Sequence, residues 1–122
     1  MTTLTSDQLA QLLRSWAIGD PASEAAAQLL CEHRRWLERA DFVAACVDRA
    51  GRTASVRWSA VPSFVQQAAC SSSEARVLRL AAELAGIDTG VPLAELVSGL
   101  DDRNCRTVVR AIAHALRLGA RR

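Results

Sequence analysis

Lysine is absent from this chain: its 15 Lys and Arg positions are all arginine. Without lysine there is no P-loop, and the glycine pattern of one is missing too, so "CSSSEAR" (Cys70–Arg76) reads as a capped helix start rather than a phosphate cradle. No apolar run approaches the ~20 residues that a membrane-spanning helix needs. The opening "MTTLTSDQLAQLLRSW" lacks the basic start and apolar stretch of a signal peptide, so a cytoplasmic protein without membrane association is expected. There is no C-x-x-C pair; Cys31, Cys46, Cys70 and Cys105 are irregularly spaced and are expected to be free thiols. Nor is there an H-E-x-x-H, a serine nucleophile elbow or a paired-carboxylate motif. The sequence therefore predicts no catalytic constellation, no metal and no cofactor.

Aromatics make up only 4% of the chain. Alanine and leucine carry most of the apolar content instead, which favours helices. A chain of 122 residues favours one domain and can bury roughly two-thirds of its unfolded surface, enough for a core without metals or disulfides. The net charge of +2 gives no strong general attraction to polyanions. An arginine-only, alanine-rich composition fits a GC-rich genome, so arginine content by itself says little about function.

Along the chain, Thr5 with Gln8 fits a capping box, and Leu9, Leu12, Leu13 and Trp16 follow at helical spacing. Asp20 and Pro21 open a second helix, expected to run through "PASEAAAQLLCEHRRWLERA". Ala22, Ala26, Leu29, Leu30, His33, Trp36 and Leu37 share one of its faces; Glu24, Cys31, Glu32, Arg34, Arg35 and Glu38 share the other. These two helices form an expected hairpin over residues 1–40. Period-two patterning then predicts strands at Phe42–Asp48 and Thr53–Ser59 around a turn at Gly51. Since an isolated hairpin is marginal in water, it must lie on helices or pair with another chain. Residues 72–118 read as a three-helix unit. Ser71 and Glu74 cap its first helix, which is nearly all apolar and expected to be the most buried; Gly86 closes that helix, and Pro92 opens a short second one. Asp101 or Asp102 caps the last helix, which is expected to run to about Leu118. The expected fold class is α+β: a mostly α-helical single domain with one central β-hairpin, at about Phe42–Ser59.

Three features are candidates for function. On the last helix Arg103, Arg106, Thr107, Arg110, His114 and Arg117 fall within about 100° of arc, a candidate surface for nucleic acid or a protein partner. Cys105, Val108, Val109, Ile112 and Leu116 fill the opposite arc and read as the buried seam. His33, mid-face on the second helix, could act as a base or ligand but has no carboxylate or second histidine at ligand spacing, so a core or rim histidine is expected. Cys31, on the polar face with Arg34 and Arg35 at i+3 and i+4, is a candidate reactive thiol.

The helix order over Glu74–Arg117 is similar to the helix-turn-helix of winged-helix regulators. That resemblance implies a last helix entering the major groove, with arginines reading guanine edges or gripping phosphates. Asp101 and Asp102 stand at the end of the helix that would approach the bases and would repel phosphates. The sequence thus points first to a non-enzymatic interaction protein, self-associating or bound to a protein partner. A DNA-binding regulator using the helix Asp102–Leu118 comes second and an enzyme third.

Overall fold

The computed structural model describes residues 4–117. Seven α-helices surround one two-stranded hairpin: α1 Ser6–Ala17, α2 Pro21–His33, α3 Ala40–Cys46, β1 Val47–Ala50, β2 Thr53–Val56, α4 Val61–Gln67, α5 Ser72–Leu84, α6 Leu93–Val97 and α7 Asp102–Ala115. The fold is α+β and mostly helical, as expected.

Local chemistry sets most of the boundaries. Thr5 Oγ1 accepts the Gln8 N–H at 3.1 Å while Gln8 Oε1 accepts the Thr5 N–H at 2.9 Å, which closes the box that starts α1. Asp20 accepts the Ser23 N–H, with Pro21 in the first turn of α2. Ser71 and Glu74 reciprocate in the same way at the head of α5, and Asp101 accepts the Asn104 N–H at 2.7 Å to start α7. Gly86, at φ +94°, follows the end of α5 and donates to Glu83 O, a conformation that favours glycine. Gly51, at φ +59°, forms with Arg52 the two-residue turn between Ala50 and Thr53. The strands pair antiparallel from Val47–Val56 to Ala50–Thr53, and the Arg57–Asp48 ion pair flanks them.

Two expectations are corrected. Residues Phe42–Cys46 belong to α3, not to a strand, so the hairpin is shorter than Phe42–Ser59. Phe42 and Cys46 are spaced i, i+4 as well as at even offsets, and the helix puts both out of water completely. The second strand likewise ends at Val56, and Trp58–Ala60 is a 3₁₀ turn. The second correction concerns α2, which stops at His33 rather than continuing to Ala40. Arg34 takes φ +71° and turns the chain into a 3₁₀ segment, Arg35–Glu38. That turn drives Trp36 into the centre, where its Nε1 donates to Glu74 O at 3.0 Å. There it meets Phe42 and Phe64, with all three ring pairs 5.7–5.8 Å apart, two of them edge-on and Trp36–Phe42 tilted at 51°, favourable arrangements for aromatic rings. The expected run of the last helix to about Leu118 reaches beyond the described residues; the described helix ends at Ala115.

The core has two clusters, and α2 and α5 contribute to both. Leu30 and Cys31 of α2 and Leu78 and Ala82 of α5 pack with α1, the aromatic trio and the hairpin. Leu29 of α2 and Val77, Leu80 and Ala81 of α5 pack with Leu96 of α6 and with Val108 and Ala111 of α7. The expectation that α5 would be the most buried helix needs adjustment, because α2 buries six of its 13 residues and α5 five of 13.

Phe42 is fully buried at the centre of the first cluster. Phe42→Ala is expected to cost about 3–5 kcal/mol of unfolding free energy, the range for truncating a buried aromatic, as read from chemical denaturation.

Candidate functional site

The last helix presents three faces rather than two. Asn104, Thr107, Val108 and Ala111 are its buried residues. The Asn104 amide donates to Ser73 Oγ at 3.0 Å and the Thr107 hydroxyl to Arg103 O at 3.0 Å, so both polar side chains on this face are satisfied. Ala25, Ala26 and Ala111 are fully buried, and small side chains of this kind let helix backbones lie close. The pair α2–α7 is the most extensive helix contact of the fold.

The arginine stripe lies on one flank of that buried face. Arg110 Nε donates to Glu32 Oε1 at 3.0 Å. His114 Nε2 lies 2.9 Å from Glu24 Oε1, and Arg117 Nη2 is 3.9 Å from the same oxygen. Gly19 N–H, first, and His114, second, hold the Glu24 carboxyl below its usual range, so it accepts and His114 donates. Glu24 with His114 and Glu32 with Arg110 make α2 and α7 antiparallel neighbours. Six residues were expected to form one outward stripe. Of these, Thr107 is buried; Arg110, His114 and Arg117 reach acids of α2 although Arg110 and Arg117 stay exposed; and Arg103 and Arg106 are exposed. The stripe is therefore divided: its first turns face water and its later turns clamp α2.

The other flank corrects the expected buried seam. Of Cys105, Val108, Val109, Ile112 and Leu116, only Val108 is buried. Val109 is 63% exposed, Ile112 38% and Leu116 57%. The angular order of these residues holds, but the helix is rotated from the expected orientation. Close packing of small residues against α2 leaves no room for the bulkier arc, and the two acids that meet α7, Glu24 and Glu32, lie eight residues apart on another helix. One signal for the exposed seam was available: Cys105, Val109, Ile112 and Leu116 recur at 4, 3 and 4 residues. That is the narrow spacing of a coiled-coil seam rather than the broad stripe of a core-facing helix. On α6, Leu93 and Val97 are also exposed, at 62% and 42%.

His33 lines a polar cleft of about 320 Å³ with Arg35, Ser73, Glu74, Asp101 and Arg103. Burial pushes its pKa down, with Glu74 pulling up and Arg35 and Arg103 adding to the depression. Its Nδ1 is buried without a hydrogen-bond partner, which disfavours a second proton on the ring. The acids of the cleft are engaged elsewhere, Glu74 and Asp101 in capping α5 and α7. The cleft therefore offers a neutral imidazole among four compensating charges, with no carboxylate orienting it as a general base. Among the described residues no group of three His, Cys, Asp or Glu could hold a metal ion.

The placement expected for Cys31 is corrected. Cys31 is buried, not exposed on a polar face. Its Sγ donates to Ala10 O at 3.6 Å, and burial raises its pKa despite Arg14 nearby. The hairpin packing of α1 on α2 covers it, which the periodicity of α2 alone could not reveal. No helix among the described residues is long and apolar enough to cross a membrane.

No protein-family model matches the chain, and no curated protein or solved structure is significantly similar to it.

The His33 shift has a definite sign. A histidine whose folded pKa lies below its unfolded value near 6.5 binds protons more readily when unfolded, so its contribution to stability falls as pH drops through that value and levels off below the folded one. Relative to His33→Leu, the wild type is expected to lose stability between neutral and mildly acidic pH, measured by urea midpoints of both proteins across that range.

Proposed function

We propose that this protein is a non-enzymatic interaction module that self-associates, and that the outer apolar flank of α7 is its contact surface. The observation that carries this reading is the exposure of Val109, Ile112 and Leu116 on a helix whose opposite side is firmly seated. Three large aliphatic side chains in register on one face form the kind of patch that marks an association site. The seating of α7 on α2 supports a contact with defined shape rather than a loose apolar tail.

A DNA-binding reading draws on Arg103 and Arg106, which are exposed at the start of the same helix. The anchoring of Arg110 and His114 to Glu32 and Glu24 weighs against it, since those side chains have acids beside them where phosphates would sit.

Sedimentation velocity at rising protein concentration separates these readings. The wild type is expected to associate, and Ile112→Glu to dissociate by at least about tenfold in Kd, equivalent to ~1.4 kcal/mol, with an unchanged far-UV circular dichroism spectrum because Ile112 is not a core residue. A strictly monomeric wild type overturns the proposal. Salt-steep binding to duplex DNA that weakens in Arg106→Ala would replace it with the second reading.

A further inference from the structure

We infer that the polar cleft where α5 and α7 begin binds a small oxyanion of the phosphate type, free or as a monoester, through Arg35, Arg103 and His33. This goes beyond the self-association reading and does not depend on it: Val109, Ile112 and Leu116 do not line the cleft.

The formal charges of the cleft balance, but its hydrogen-bonding capacity does not. Glu74 Oε1 accepts the Ser71 N–H at 3.0 Å and Asp101 Oδ1 accepts the Asn104 N–H at 2.7 Å, so both acids are tied to the helix starts. Arg34, Arg39 and Arg110 each have a carboxylate partner. Among the described residues no ion pair involves Arg35 or Arg103, and neither guanidinium donates a hydrogen bond. Each presents a planar fork of N–H donors that matches the oxygens of a phosphate group. The cleft is therefore rich in unused donors, and a complementary ligand has to bring acceptors.

His33 adds a third donor. Its Nδ1 is enclosed without a partner. An enclosed lone pair is tolerated more readily than an enclosed N–H, which puts the ring proton on Nε2, the nitrogen left to face the cleft. Burial keeps the ring neutral; Glu74 and Asp101 pull its pKa up and Arg35 and Arg103 push it down. A neutral ring still donates through Nε2, and an anion beside it would favour the second proton. The backbone leans the same way. Ser73 and Arg103 hold the second positions of α5 and α7, helices of 13 and 14 residues, where an N–H has no acceptor within its own helix. Asn104 Nδ2 donates to Ser73 Oγ at 3.0 Å and ties these two starts together. At about 320 Å³ the cleft is at the small end of ligand pockets, which suits a phosphate group with a short organic arm rather than a large cofactor.

The chain has two histidines, so the histidine ring signals in an NMR spectrum follow His33 directly, with His114→Gln assigning the pair. The protein is titrated at fixed pH with inorganic phosphate and with glycerol 3-phosphate, each against sodium chloride at matched ionic strength. The His33 signals are expected to move saturably with phosphate or the monoester and not with chloride. Those of His114, which sits by Glu24 outside the cleft, are expected to stay in place. Saturation at lower concentration by one of the two ligands names the source of the phosphate group. Arg35→Gln and Arg103→Gln are each expected to weaken binding about tenfold, the scale of one charge-assisted hydrogen bond. Both side chains are exposed, so each variant should keep the wild-type circular dichroism spectrum. With sulfate, which stays doubly charged throughout, the titration midpoint of His33 is expected to rise. A His33 response that chloride reproduces, no response to either phosphate, or a response that both arginine variants leave unchanged overturns the site.

Discussion

How closely α7 lies on α2 governs the outward face of this molecule. The side-chain pairs between the helices, Arg110 with Glu32 and His114 with Glu24, do not supply that closeness. The Arg110–Glu32 pair is half in water, and exposed pairs of this kind contribute about 0.2–1 kcal/mol each. Burying a Val, Leu or Ile side chain contributes roughly 1.5–3 kcal/mol, so ion pairs alone could not hold Val109, Ile112 and Leu116 out of the core. Fit does. The buried side of α7 is made of Ala111, Val108 and two polar side chains whose hydrogen bonds are complete. Rotating the helix to bury the larger arc would break the Asn104–Ser73 bond and press branched side chains into space shaped for alanine, which costs as much as the gain or more. The Arg110–Glu32 and His114–Glu24 pairs then fix the register along a face that packing has already chosen.

Much of the fold was legible in the sequence because it is written locally. The capping residues Thr5, Asp20, Ser71 and Asp101 each act on a backbone N–H three residues ahead, and all four do so. The turn at Gly51 and the end of α5 at Gly86 follow from conformations that other residues resist. What was not legible depends on distant partners. Phe42 and Cys46 fit a strand or a helix equally well by pattern, and only the ring contacts with Trp36 and Phe64 select the helix. Nothing in "CEHRRWLERA" announces that Arg34 will take a positive φ, because the gain comes from Trp36 reaching Glu74, 38 residues away.

The candidate surface divides in the same way. The angular order of residues on α7 is legible in its own sequence, and the rotation of the helix is not, because rotation belongs to the pair α2–α7 rather than to either sequence segment. Cys31 shows the same limit: its own helix places it beside arginines, and α1 removes it from water. His33 was expected at the core or rim, and it sits at the wall of a polar cleft.

The division of the core has an energetic consequence of its own. Phe42 and Leu96 lie in separate clusters, so losses at the two should nearly sum, whereas losses at neighbours within a cluster should not. Trp58 is packed against both clusters. Sitting just past the hairpin on a 3₁₀ turn, it is the side chain through which a perturbation beneath α7 would be felt at the strands, and truncating it would make the two halves of the core more nearly independent of each other.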